Sequence, residues 1–264
     1  MDLCVDDLGF NYSGNKVLRD ICLRLDKPGL ICIIGPNGVG KSTLLKCFNK
    51  ILQPTSGTVS INRVDLKDLT LRDISMVSGY VPVESKDGFS MTVREAVLLG
   101  RHPHQKFGIP TDIDLLITHR VLNMAGLNRL ADRRVDELSA GQRQRVAIAR
   151  GVAQAPRMLL LDEPTANLDV CNQVQITRLL AKLSKEEGMT VIMVSHDLNI
   201  ASRYADEVIL MSPPGIIKGI GSPSDVITEE SISDTYRIGC RIIEDCGRPH
   251  VILGDPLDSE IKDV

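Results

Sequence analysis

The sequence predicts an α/β fold: a P-loop NTPase core whose mixed sheet is flanked by helices, with an antiparallel β-subdomain ahead of it. Three observations carry that prediction. Gly35-Pro36-Asn37-Gly38-Val39-Gly40-Lys41-Ser42-Thr43 fits the phosphate-loop pattern G-x-x-x-x-G-K-[ST]. It comes after Leu30-Ile31-Cys32-Ile33-Ile34, a short unbroken apolar run such as a buried parallel strand requires. Beyond it, Leu44, Leu45, Phe48, Ile51 and Leu52 recur at helical spacing up to Pro54.

A loop between a strand and a helix N-terminus has a defined chemistry. First-turn N–H groups lack intrahelical partners, and the helix dipole favours anions there. Glycines at 35, 38 and 40 let the backbone curl around a phosphate. Lys41 then reaches the β- and γ-phosphates, and the Ser42 hydroxyl ligates Mg²⁺. The residues therefore point to a nucleoside triphosphate.

Along the chain, residues 3–25 alternate apolar and polar around Tyr12-Ser13-Gly14-Asn15, an antiparallel hairpin. Tyr12, at the strand end, reads either as an edge aromatic or as a ring stacking on a nucleobase. Thr58–Ile61 and Ser78–Pro82 read as strands with a polar segment between them. From about Thr92 to Ala155 the pattern is mainly helical. Thr92 and Glu95 form a capping box, a second helix spans Asp114–Ala125, and a third comes after Leu138-Ser139-Ala140-Gly141. Met158–Leu161 is an apolar strand ending in Asp162-Glu163-Pro164. Such strand ends face the ligand in open α/β sheets. Asp162 suits a Mg²⁺ ligand, and Glu163 suits a general base for water. A polar helix over 170–187 turns Val174, Ile176, Leu179, Leu180 and Leu183 inward. Thr190–Val194 is another buried strand, ending at Ser195-His196-Asp197 on the same side as the other motifs. Leu198–Tyr204 reads as a short helix, Glu207–Met211 as a strand, and the rest as a mixed tail.

Composition narrows the function classes. The chain has 264 residues, a net charge of -3 and 3% aromatic residues without Trp. That gives no electrostatic or stacking footprint for nucleic acid. The start lacks a basic stretch leading into an apolar run, so no secretory signal is expected. The longest apolar runs are too short to cross a bilayer. Seven cysteines, none in C-x-x-C, suit a reduced cytosolic protein. Cys240 and Cys246 are a close pair that reads as chance surface spacing.

These motifs together resemble the ATP-binding subunit of ABC transporters over nearly the whole chain. Leu138-Ser139-Ala140-Gly141-Gln142 is similar to the family's signature sequence and stands just before the Asp162-Glu163 strand. The resemblance implies an ABC-ATPase fold over 1–211, with a helical subdomain inserted at 84–155 and an extension at 212–264 packing on the core. It implies that Tyr12 stacks on adenine and that Asp169 belongs to the family's D-loop. Glu163 becomes the catalytic glutamate, and His196 the switch histidine at the γ-phosphate. Ser139, Gly141 and Gln142 face ATP held by the second copy of a head-to-tail homodimer. Two departures stand out: Ala140 for a glycine, and Val83 where the family usually has a Gln that contacts Mg²⁺ or the attacking water. A one-residue loop shift would bring Glu84 to that place.

The stretch Met91–His104 and the tail from Gly221 to Tyr236 resemble importers of iron-siderophore complexes, haem and cobalamin. This implies a peripheral subunit at the cytoplasmic face of the membrane. Its partners would be permease subunits and an extracytoplasmic substrate-binding protein, and its cargo, first of all, ferric siderophores. The alternative is a soluble ABC-type ATPase of iron–sulfur cluster assembly.

Overall fold

A strand at the centre of the main sheet reads as unbroken apolar sequence because both of its faces are buried. In β3 (Gly29–Ile34), Leu30, Cys32 and Ile34 enter one apolar cluster, while Ile31 and Ile33 enter the other. A fully buried Leu or Ile contributes about 1.5–3 kcal/mol, so the two clusters clamp the sheet from both sides.

The computed structural model describes residues 1–83, 91–105 and 108–257. β1 (Leu3–Tyr12) and β2 (Asn15–Leu25) form the expected hairpin, with Tyr12 opposite Asn15. After β3 and the phosphate loop come α1 (Lys41–Cys47), β4 (Ser56–Ile61) and β5 (Val64–Asp65). α1 is shorter than its apolar spacing predicts. Phe48 and Leu52 still turn inward, but Lys50 takes a left-handed φ of 53° and Ile51 is 48% exposed. α2 (Leu71–Val77) lies in the stretch read as merely polar. A Thr70–Asp73 capping box starts it, and only Ile74 is buried, which leaves no apolar periodicity to read.

β6 (Ser78–Val81) precedes the helical block of α3 (Val93–Leu98), α4 (Asp112–Met124) and α5 (Ala140–Ala153). The Thr92–Glu95 box is present. α4 begins two residues before Asp114 because Thr111 is its cap and Asp114 its reciprocal partner. Arg101 and Asp114 form a fully buried ion pair at 2.9 Å, and Arg101 also donates to the Ala153 carbonyl at 2.8 Å. That network ties α4 to the end of α5.

β7 (Met158–Leu161), α6 (Val170–Glu186), β8 (Thr190–Val194), α7 (Leu198–Tyr204), β9 (Glu207–Ser212) and β10 (Ile216–Gly221) complete the core. In α6, Ile176, Leu180 and Leu183 are buried, with Val174 and Leu179 half-buried. The six-stranded sheet has the order β10-β9-β3-β8-β7-β6, parallel except for β10. The antiparallel sheet is β2-β1-β4-β5. α8 (Pro223–Val226) and α9 (Glu229–Tyr236) lead to a separate hairpin, β11 (Ile238–Asp245) with β12 (Arg248–Pro256). No helix among the described residues is long and apolar enough to cross a membrane.

Candidate nucleotide-binding and hydrolysis site

The C-terminal ends of β3, β7 and β8 lie side by side, so the loops that leave these strands converge. After β3 the chain turns through Gly35 (φ 149°), Gly38 (φ 76°) and Gly40 (φ 105°), all at positive φ, which side chains disfavour. A Cβ at Gly35 would collide with the Met211 carbonyl oxygen, and one at Gly40 with Leu18. These two glycines are therefore fixed by packing as well as by φ.

α1 begins at Gly40 without a side-chain cap and without an acidic residue in its first turn. The other eight α-helices among the described residues each have a Ser, Thr or Asp that accepts from their first turn. α1 alone leaves its N–H groups and positive dipole end for an external anion. Lys41 adds the cation. Its Nζ donates to the Gly35 carbonyl at 2.7 Å and the Pro36 carbonyl at 2.8 Å. Burial lowers the Lys41 pKa, opposed by the negative charges of Glu163 and Asp162.

Ser42 Oγ donates to Asp162 Oδ1 at 2.6 Å, and the Tyr80 hydroxyl donates to Asp162 Oδ2 at 3.3 Å. Burial, then the Asp162 charge, pushes the Tyr80 phenol up, so it stays a donor. Asp162 is only 2% exposed. Two adjacent hard oxygens beside a phosphate-binding loop suit Mg²⁺, which takes one or two protein oxygens and completes its shell with phosphate and water. Glu163 has a φ of 48°, a strained value for a non-glycine residue that aims its side chain away from the strand line. Its Oε1 lies 2.5 Å from His196 Nε2. Both line a cleft of about 460 Å³ together with Tyr12, Asn37, Lys41 and Thr43. Tyr12 is 46% exposed and stands edge-to-face on Phe10, so one face of its ring is available to a planar base.

The remaining sequence-derived residues form a second group outside that cleft's lining. Ser139 and Gln142 cap each other at the start of α5, and both Ser139 and Ala140 are exposed. Ala140 is the first helical residue and not among those with positive φ, so its methyl group is unstrained. Gly141 packs against the Asn172 side chain. Asn172 Nδ2 in turn donates to Asp169 Oδ2 at 2.6 Å, and Asp169 caps α6 by accepting from the Asn172 N–H at 2.9 Å. That backbone bond, foremost, holds the Asp169 carboxyl below its usual range. Tyr80 and Asn172 were not apparent from the sequence. Tyr80 reaches Asp162 only because β6 pairs with β7, and Asn172 has no pattern of its own.

Val83 is 39% exposed just past β6. Glu84 and the start of the helical insertion expected from the sequence lie outside the described residues. An apolar side chain at position 83 cannot ligate a cation or orient water. Val83→Gln should therefore raise the rate of phosphate release or tighten its dependence on the permease; unchanged ATPase and transport would refute a weakening role for Val83.

Residues 18–166 match the family described as ABC transporter. Over 252 residues the chain is 42% identical to an uncharacterised ABC transporter ATP-binding protein of Methanocaldococcus jannaschii, covering 96% of this chain and 98% of that one. It is 36% identical to the iron(3+)-hydroxamate import ATP-binding protein of Bacillus subtilis, covering 92% and 90%. Among solved structures, an inward-facing ABC transporter of metal-chelate type superposes with a TM-score of 0.83 at 28% identity, over 95% of this chain and 96% of that one. An uncapped phosphate loop, a part-buried Ser–Asp pair and this extent of likeness have one common account: the chain belongs to the ABC transporter family, as an ATP-binding subunit whose ATP hydrolysis is coupled to transport.

Proposed function

We propose that this protein energises the import of iron complexes, ferric siderophores first and cobalamin or haem next, as a head-to-tail homodimer beneath a permease at the cytoplasmic face of the membrane. An extracytoplasmic substrate-binding protein would deliver cargo to that permease. The observation that carries the ATP chemistry is the uncapped α1 N-terminus with Lys41 and the Ser42–Asp162 pair beside it. The cargo rests on the iron-hydroxamate relative, the metal-chelate structure and the Met91–His104 stretch. Those likenesses are to transporters, which weighs against the iron–sulfur assembly alternative.

In this reading Tyr12 stacks on adenine while the loop amides and Lys41 hold the phosphates. Ser42 and Asp162 would hold Mg²⁺, which would supply charge neutralisation at the phosphates. Catalysis of phosphoryl transfer is chiefly positioning and charge stabilisation, which these groups supply. A γ-phosphate oxygen takes His196 from Glu163, and the freed carboxylate accepts a proton from the attacking water. Ser139, Gly141 and Gln142 close on the ATP of the other subunit, with Asp169 alongside. ATP binding thus joins the two copies, and hydrolysis parts them.

The test is ATPase activity of the complex purified with its membrane partner, reconstituted with the binding protein and offered ferric siderophores, haem and cobalamin in turn. Stimulation by one of them identifies the cargo. Glu163-dependent activity with no membrane partner and no stimulation would refute the importer reading.

A further inference from the structure

The ATP chemistry leaves the hairpin β11–β12 without a task, yet β12 grips one element of the site along its whole length. α7 has seven residues, too few to hold a helix in place by itself, so its position is set by what packs on it. Ile200, Ala201 and Ser202 are buried. Along one edge, Asn199, Ser202 and the C-cap Ala205, spaced by three, meet β12. Asn199 Nδ2 donates to the Val251 carbonyl at 3.2 Å, and the Val251 N–H donates to Asn199 Oδ1 at 2.7 Å. Ser202 Oγ donates to the Pro249 carbonyl, and Arg248 Nη1 donates to the Ala205 carbonyl at 2.8 Å. The Asn199 carboxamide thus behaves as a peptide group, pairing with the free edge of β12 as a neighbouring strand would.

These bonds continue to His196. Asp197 Oδ1 accepts from the N–H groups of Asn199 (2.8 Å) and Ile200 (2.9 Å). Ser195 Oγ accepts from the Asp197 N–H and donates to the Asp197 carbonyl, both at 3.2 Å. His196 stands in the middle of this turn, three residues from Asn199. Between the hairpin and the turn lies an apolar cleft of about 580 Å³ lined by His196, Leu198, Tyr236, Ile238, Val251 and Leu253. Tyr236, at the end of α9, also reaches the phosphate loop. Its buried hydroxyl has no well-formed hydrogen bond among the described residues and has the Gly35 backbone N–H beside it.

We propose that the C-terminal hairpin is a clamp which, through Asn199, fixes α7 and with it His196, so that it sets the rate of ATP hydrolysis and not the affinity for ATP. Asn199 is a positioning residue in this scheme, and the inference rests on His196 acting at the γ-phosphate. Neither Asn199 nor Val251 lines the nucleotide cleft, so breaking their pair frees the imidazole without removing a group that holds ATP.

The test compares Asn199→Ala with the unaltered full chain, each with His196 and with His196→Ala. Phosphate release gives kcat, and a fluorescent ATP analogue gives Kd. The expected result is a kcat lower by about tenfold, an unchanged Kd, and no further loss from Asn199→Ala once His196 is absent. Equal kcat in Asn199→Ala and the unaltered chain would overturn the clamp. So would the same loss in both backgrounds, or a parallel loss in Kd, since either marks general loosening. Full activity of His196→Ala would overturn the site assignment and the clamp with it. Should Asn199→Ala fail to fold, Asn199→Asp keeps the size, the acceptor for Val251 N–H and a negative charge suited to a helix N-terminus. It replaces the donation to the Val251 carbonyl by repulsion between two acceptor oxygens, and a kcat lower by at least about threefold is expected, with the same three refuting outcomes.

Discussion

Glu163→Gln leaves ATP binding intact and slows hydrolysis by about 10²–10⁴-fold, the range that general-base catalysis supplies. Gln keeps the size of the side chain and the left-handed backbone that aims it, but an amide cannot accept a proton from water. The contact at 2.5 Å between His196 and Glu163 becomes one to a neutral group, so His196 is easier to draw to phosphate. In the proposed arrangement, with two ATPs sandwiched between copies and no hydrolysis to part them, the variant should accumulate as an ATP-bound dimer. Phosphate release, nucleotide affinity and size-exclusion with ATP measure the three consequences. Full activity would place the base elsewhere; slow hydrolysis by a persistent monomer would refute the sandwich.

Lys41→Ala removes ATP binding itself. Lys41 is 5% exposed and its ammonium bridges the carbonyls of Gly35 and Pro36, so it both adds charge and holds the loop closed. A charge-assisted hydrogen bond contributes about 1.5–3 kcal/mol, and losing one with its loop contacts should weaken ATP at least about 100-fold. Thermal unfolding with and without ATP reads this directly: ligand-induced stabilisation is present in the unaltered chain and absent from the variant. Burial lowers the Lys41 pKa, so ATP affinity should fall off on the alkaline side earlier than an exposed lysine would give, as the ammonium loses its proton. Stabilisation by ATP equal to that of the unaltered chain would refute the assignment.

Much of this site was legible because its parts are local. A phosphate loop needs its glycines, lysine and serine within nine residues, and each paired carboxylate or histidine sits at the end of an apolar run. The capping box of α3 was readable for the same reason, since a side chain and the N–H three residues on belong to one turn. What escaped was either short or non-local. α2 has one buried residue and so no period, and α1 ends at Cys47 although apolar residues persist.

The sequence alone determined the α/β class, the strand–loop–helix that binds phosphate and the identity of most candidate residues, because those depend on spacing along the chain. Tertiary structure decided which groups touch. The pairing of β6 with β7 brings Tyr80 to Asp162, the close approach of the first turns of α5 and α6 brings Asn172 to Gly141, and the return of β12 along α7 brings Val251 to Asn199. These contacts span from 31 residues of chain for Gly141 and Asn172 to 82 for Tyr80 and Asp162. No periodicity encodes partners that distant; strand order and helix packing set them, as the burial of apolar faces finds its lowest free energy.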